Sequence, residues 1–288
     1  MRVEIAPGVR LFFDVEGPAL VADGPRLRRR PTLILLHGGP GADHAIYKPG
    51  FSALSDLAQI VYLDHRGNGR SHIGGPADWT LARWADDLAA FCDALEIEAP
   101  IVYGASFGGF VAQAFAARHP GRLSALILSN TAARYDFKAV YDAFGRIGGP
   151  EARAAAEGYW GAPTAESRAR YHQVCLPLYA AAPPDPDVFA RVRLRNDVAL
   201  HFNGPANEQG RFDFREALRH VDVPVLLMAG EDDPVTPLAF SDEIAAHLPP
   251  DRLTYERFPG ARHILAADAP EAMFGALRRF LEGLPPPD

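Results

Sequence analysis

Only two of the 288 residues are cysteine, Cys92 and Cys175. That excludes a disulfide framework, and no spacing of potential ligands resembles a metal site, so no metal is expected. Basic charge is scarce as well: 29 Lys and Arg stand against 36 Asp and Glu, a formal net charge of −7. Such a balance argues against a nucleic-acid or anionic-membrane partner. The one basic run, Arg28-Arg29-Arg30, precedes Pro31 and is expected to lie in a solvated loop. No apolar stretch approaches the ~20 residues that span a bilayer, and Met1-Arg2-Val3-Glu4 lacks the long apolar segment of a signal peptide. A soluble cytoplasmic protein is the simplest expectation. No motif fixes its oligomeric state.

What the chain does have is apolar residues, 48% of the total, in two distinct patterns. Thr32–Leu36, Ile60–Leu63, Ile101–Tyr103, Ala125–Ser129 and Val225–Ala229 are short continuous apolar runs, the mark of strands buried on both faces. Val3-Glu4-Ile5 and Val9–Phe13 flank Pro7-Gly8 and predict a hairpin at a sheet edge. Leu253–Phe258 predicts a last strand. Between strands, Leu81, Trp84, Ala85, Leu88, Phe91, Cys92 and Leu95 recur at helical spacing, which places Cys92 on a packed stripe. Helices are also expected from Phe107 to Arg118, Pro237 to Leu248 and Glu271 to Leu281, with a Pro285-Pro286-Pro287 tail. Alternating strands and helices imply right-handed crossovers and a mostly parallel sheet flanked by helices, the α/β class.

From about Ala132 to Ala217 the strand signal disappears. Phe137, Val140, Tyr141, Phe144 and Ile147 make a helical stripe that stops at Gly148-Gly149, and Pro150 opens a second helix. Thr164 is a predicted N-cap, and a further helix is expected near Val188 to Arg195. The division expected is a core over residues 1–131, a helical cap insertion over 132–217, and the rest of the core over 218–288.

Gly104-Ala105-Ser106-Phe107-Gly108 sits between a buried strand and a helix, the context in which G-x-S-x-G forms a nucleophile elbow. The turn is tight, so the positions two before and two after Ser106 must be very small. A serine hydroxyl needs a base. Of ten histidines, His263 lies in the loop after the last strand, at the sheet end where Ser106 sits. An acid is then needed to orient His263, and Gly230-Glu231-Asp232-Asp233-Pro234 follows the Val225–Ala229 strand. Asp233 is the expected choice and Asp232 the fallback. Oxyanion donors are expected from the backbone of Phe107 and of Gly39, in His37-Gly38-Gly39-Pro40-Gly41. A phosphate cradle is excluded there, because no Lys-Ser/Thr follows. Asp64-His65-Arg66-Gly67-Asn68-Gly69-Arg70-Ser71 is assigned to architecture, with Asp64 and Arg66 expected to pair.

These residues resemble the α/β-hydrolase family along nearly the whole chain. The His37–Gly41 and Asp64–Ser71 segments look like those of the proline iminopeptidase group. The resemblance implies a cofactor-free serine hydrolase with Ser106, Asp233 and His263 as triad, releasing N-terminal residues from short peptides. Members of that group generally carry a Trp/Glu-rich cap segment whose carboxylates hold the substrate's amine. Here the comparable stretch is Glu157-Gly158-Tyr159-Trp160-Gly161, without that run. Glu157 and Glu208 are the candidate amine anchors; Phe144, Trp160 and Phe202 either line an apolar pocket or pack the cap helices. A carboxylesterase or lactonase acting on small esters remains the alternative, and a non-catalytic ligand receptor on the same scaffold the remote one.

Overall fold

In a computed structural model, residues 1–286 are described; Pro287 lies outside them. Ten strands form: β1 (Arg2–Ala6), β2 (Val9–Glu16), β3 (Leu20–Asp23), β4 (Arg26–Arg29), β5 (Thr32–Leu36), β6 (Gln59–Leu63), β7 (Ile101–Ala105), β8 (Ala125–Ser129), β9 (Val225–Gly230) and β10 (Leu253–Phe258). Eight of them build one sheet in the order β1-β2-β6-β5-β7-β8-β9-β10. From β6 to β10 every pairing is parallel, while the β1–β2 hairpin adds antiparallel at one edge. The expected hairpin and buried strands are therefore present. The Arg28–Arg30 run differs from expectation: β3 and β4 form a separate two-stranded hairpin, with Arg28 and Arg29 exposed on β4. Two exposed strands paired only to each other need no apolar run, which is why composition did not reveal them.

The sheet is covered on both faces, and strand alternation shows it. Ile34 and Leu36 belong to one core with Val61, Leu63, Leu126 and Leu128. Leu33 and Leu35 belong to the other, with Ile60, Tyr62, Ile127 and Met228. Successive side chains point to opposite faces, so a strand buried on both sides must be apolar throughout. On the first face lie α1 (Leu81–Ala94) and α2 (Phe107–Arg118). Thr80 caps α1 by accepting from the Arg83 N–H, and Cys92 is buried on its packed side.

Between β8 and β9 the chain is helical: α3 (Phe137–Gly161), α4 (Ala165–Val174), α5 (Pro186–Arg191), α6 (Asn196–Phe202) and α7 (Arg215–Leu218). The expected break after Ile147 is a kink inside α3, where Gly149 takes φ +75°, open to glycine, ahead of Pro150. Thr164 caps α4 as expected, its hydroxyl accepting from the Ser167 N–H. The helix anticipated near Val188–Arg195 is instead two, α5 and α6, parted by extended backbone at Val192. After β9 come α8 (Leu238–His247), α9 (Leu265–Asp268) and α10 (Pro270–Gly283), the last packed on the second face. No helix among the described residues is long and apolar enough to cross a membrane.

Candidate active site

Ser106 stands at the junction of β7 and α2 with φ +53° and ψ −121°, a strained conformation for a residue with a side chain. Neighbouring glycines make the turn possible. A Cβ on Gly104 would collide with the Gly108 carbonyl, and one on Gly108 with the Leu36 carbonyl. The Ser106 N–H donates to the carbonyls of Ser129 (3.0 Å) and Asn130 (3.1 Å), and the Ser106 carbonyl accepts from Thr131 Oγ1 at 2.8 Å. β8 thus holds the turn against its own strain.

His263 lies in the loop after β10, as expected, with Nδ1 2.7 Å from Asp233 Oδ2. Asp233 is fully buried, and each carboxylate oxygen is satisfied. Oδ1 accepts the N–H groups of Val235 (2.7 Å) and Thr236 (2.9 Å); Oδ2 accepts the Thr236 hydroxyl (2.7 Å) and faces His263. A buried carboxylate is tolerable on such terms. Asp232 is exposed, its N–H bonded to the Ala261 carbonyl, and among the described residues Asp233 is the acid that meets His263. The carboxylate fixes Nδ1 as the donor and leaves Nε2 as the basic nitrogen. Tyr179, between α4 and α5, sets its ring edge-on to His263 at 5.2 Å. The helical segment therefore reaches the histidine directly.

Phe107 begins α2, so its N–H lacks an intrahelical acceptor. Gly39, in the loop after β5, is exposed and has φ +129°, a conformation that glycine alone adopts readily. Both positions expected for oxyanion donors lie at the carboxyl ends of neighbouring strands, β5 and β7, as does Ser106.

The Asp64–Ser71 loop braces the Gly39 loop from beneath. Asn68 Oδ1 accepts the Gly41 N–H at 2.7 Å, and Asp64 Oδ1 accepts His44 through both its N–H (3.0 Å) and its Nδ1 (2.6 Å). Arg70 reaches Asp43 at 2.8 Å. The expected Asp64–Arg66 pair does not form. Arg66 turns to α1 instead and grips Asp87 through two bonds of 2.7 and 2.6 Å, while Asp64 is occupied by His44 and the Arg70 N–H. Burial alone would raise the Asp64 pKa, but the bonds it accepts from His44 hold it below the usual value. His37 is buried, with Nδ1 at 2.8 Å from the Gly38 carbonyl and Nε2 accepting the His65 N–H at 3.3 Å. Those partners select a neutral ring protonated at Nδ1, and burial lowers its pKa accordingly. Asp43, His44 and Asp64 lie close enough to suggest a cation site, yet their oxygens already accept protein N–H groups.

The remaining sequence-derived candidates are placed as follows. Phe202 is fully buried and packs on Phe107 (5.2 Å) and Trp84 (5.7 Å), seating α6 on the elbow helix. Phe144 and Trp160 are buried together, 5.9 Å apart, and both contact Tyr171. Tyr171 bonds the Tyr179 hydroxyl at 2.6 Å, so this aromatic group ends against His263. Glu157 is on the outer surface of α3, bonded to Arg153 at 2.8 Å. Glu208 accepts the Leu81 N–H at 3.0 Å and lines a groove with Trp79, Thr80, His201 and Arg211. Sequence reasoning missed Thr236 and Asn130, which contact the acid and the histidine loop; no local pattern marks either.

A family model for the alpha/beta hydrolase fold matches residues 31–270. The "Putative carbamate hydrolase RutD" of Caulobacter sp. (strain K31) is 31% identical over 284 residues, covering 95% of this chain and 96% of that one. The proline iminopeptidase of Lactiplantibacillus plantarum is 29% identical, covering 90% of this chain and 94% of its own length. The crystal structure of a proline iminopeptidase from Mycobacterium smegmatis superposes with TM-score 0.76 at 25% identity, covering 98% and 97% of the two chains. With its parallel sheet, elbow and loop order, the chain belongs to the alpha/beta hydrolases.

Proposed function

We propose that the protein is a serine hydrolase acting through an acyl-enzyme, with Ser106 as nucleophile, His263 as base and then acid, and Asp233 as the orienting carboxylate. The observation that carries this reading is the 2.7 Å contact between His263 Nδ1 and a fully buried, fully bonded Asp233, at the sheet end that holds the strained Ser106. The Ser106 hydroxyl attacks a substrate carbonyl as His263 Nε2 takes its proton. The N–H groups of Gly39 and Phe107 bind the developing oxyanion, and His263 returns the proton to the leaving group. Water then enters, and the same proton transfers release the acid. Residues 132–217 act as a cap over this site, with Tyr179 in contact with the base.

For the substrate we favour a small ester, lactone or carbamate. Both glutamates that were candidates to anchor a free amine are engaged elsewhere, Glu157 with Arg153 and Glu208 with the α1 N-terminus. An aminopeptidase is the second reading, supported by the proline iminopeptidases among the similar proteins. One comparison separates them: hydrolysis of an aryl ester, an aryl carbamate, proline arylamide and its N-blocked analogue, alongside labelling of Ser106 by a fluorophosphonate. Ester or carbamate turnover with no amine dependence supports the first reading. Cleavage of proline arylamide that vanishes on blocking the amine replaces it with the second. Absence of labelling at Ser106 would remove both.

A further inference from the structure

Asn130, the residue after β8, is buried, with φ +43°, a left-handed conformation that asparagine tolerates better than most side chains. Its carbonyl accepts the Ser106 N–H at 3.1 Å. Its side-chain Oδ1 accepts the Gly230 N–H at 2.8 Å, and Nδ2 donates to the carbonyls of Arg262 and His263, each at 2.9 Å. One orientation of the amide fits, oxygen to the N–H and nitrogen to the two carbonyls. Gly230 opens the turn that carries Asp233, and Arg262-His263 carries the base. A single residue thus bonds the three segments that bear Ser106, Asp233 and His263, from strands β7, β9 and β10.

We propose that Asn130 is a positioning residue for the triad: its amide sets the spacing of the acid and histidine loops against the nucleophile elbow. The proposal rests on the Ser106-Asp233-His263 reading given above. Its physical basis is that proton transfer and attack need near-contact geometry, so a displacement of ~1 Å costs about a hundredfold in rate. Three loops reaching the site from separate strands have no covalent means of keeping that geometry. Alongside the Asp232 N–H to the Ala261 carbonyl, the amide and carbonyl of Asn130 tie all three together.

Asn130→Asp keeps the shape, the tolerance of positive φ and an acceptor for the Gly230 N–H, but presents oxygen to two carbonyls. Asn130→Gly removes the side chain and relaxes the backbone. Both are to be compared with wild type for kcat and KM on the best substrate, for fluorophosphonate labelling rate, for Tm, and for the downfield proton resonance of the His263–Asp233 bond. At a temperature where all are folded, kcat is expected to fall roughly 10- to 100-fold with KM within about twofold. Labelling should slow in parallel, and the downfield resonance should shift or vanish. A lowered Tm with wild-type kcat, labelling and resonance overturns the proposal and leaves Asn130 a purely structural clasp. So does failure of both variants to fold. If wild type itself is not labelled at Ser106, the serine-hydrolase reading has failed; if wild type labels and both folded variants label equally fast, only the role of Asn130 has.

Discussion

Ser106 pays no visible hydrogen-bond penalty for its strained backbone, because β8 accepts its N–H and Thr131 bonds its carbonyl. Ser106→Ala should therefore remove turnover and leave thermal unfolding within about 1 kcal/mol of wild type, as the change deletes one partly exposed hydroxyl. Residual activity near wild type would mean another group is the nucleophile. Gly108 is the opposite case. A methyl there meets the Leu36 carbonyl, which belongs to a strand and cannot retreat, so Gly108→Ala should cost ~3 kcal/mol or more. Urea unfolding tests this, and a loss under 1 kcal/mol would show that the turn has slack. The G-x-S-x-G pattern was legible because such steric demands are local. The choice of Asp233 over Asp232 was less so: adjacent acids differ in burial only once β9 and the β10 loop are packed together.

Among elements, the braces beneath the Gly39 loop matter most. Arg66 and Asp87 join the Asp64–Ser71 loop to α1, both side chains nearly inaccessible. Burial raises the Asp87 pKa even against the pull of Arg66. Asp87→Ala would leave a buried guanidinium with only the longer contact to Asp78, 3.6 Å away. The expected loss is about 3 kcal/mol, at the lower end for a broken buried pair. Chemical denaturation measures it, and a loss below 1 kcal/mol would assign the brace to Asp64, Asn68 and Arg70 instead. That Arg66 chooses Asp87 over Asp64 was not readable, since a loop's direction decides which carboxylate a long side chain reaches.

At the scale of the molecule, the histidines set the response to acid. Burial lowers the pKa of His37 and His65, and burial together with Arg168 brings His172 from an ordinary 6.5 to about 4. A histidine depressed in the folded state binds protons more readily when unfolded. Stability is therefore full above pH 6.5 and falls as pH drops toward 4. Tm should decline between pH 7 and 5, and His172→Gln should recover ~1 kcal/mol of that decline, the half-exposed site being partly screened. An unchanged pH dependence in the variant would show that His172 titrates normally.

By itself, the sequence determined the strand and helix alternation, the elbow and the order of serine, acid and histidine loops. Those signals are carried by neighbours in the chain: apolar periodicity, glycines at a steric limit, a turn after each buried strand. Only the tertiary structure decided that Glu157 and Glu208 serve protein partners, that Arg66 pairs with α1, and that Asn130 joins three loops. The Asn130 bonds span 100 to 133 residues of chain. A hydrogen bond between such distant segments depends on the packing of strands β7 to β10, and nothing local to either partner records it.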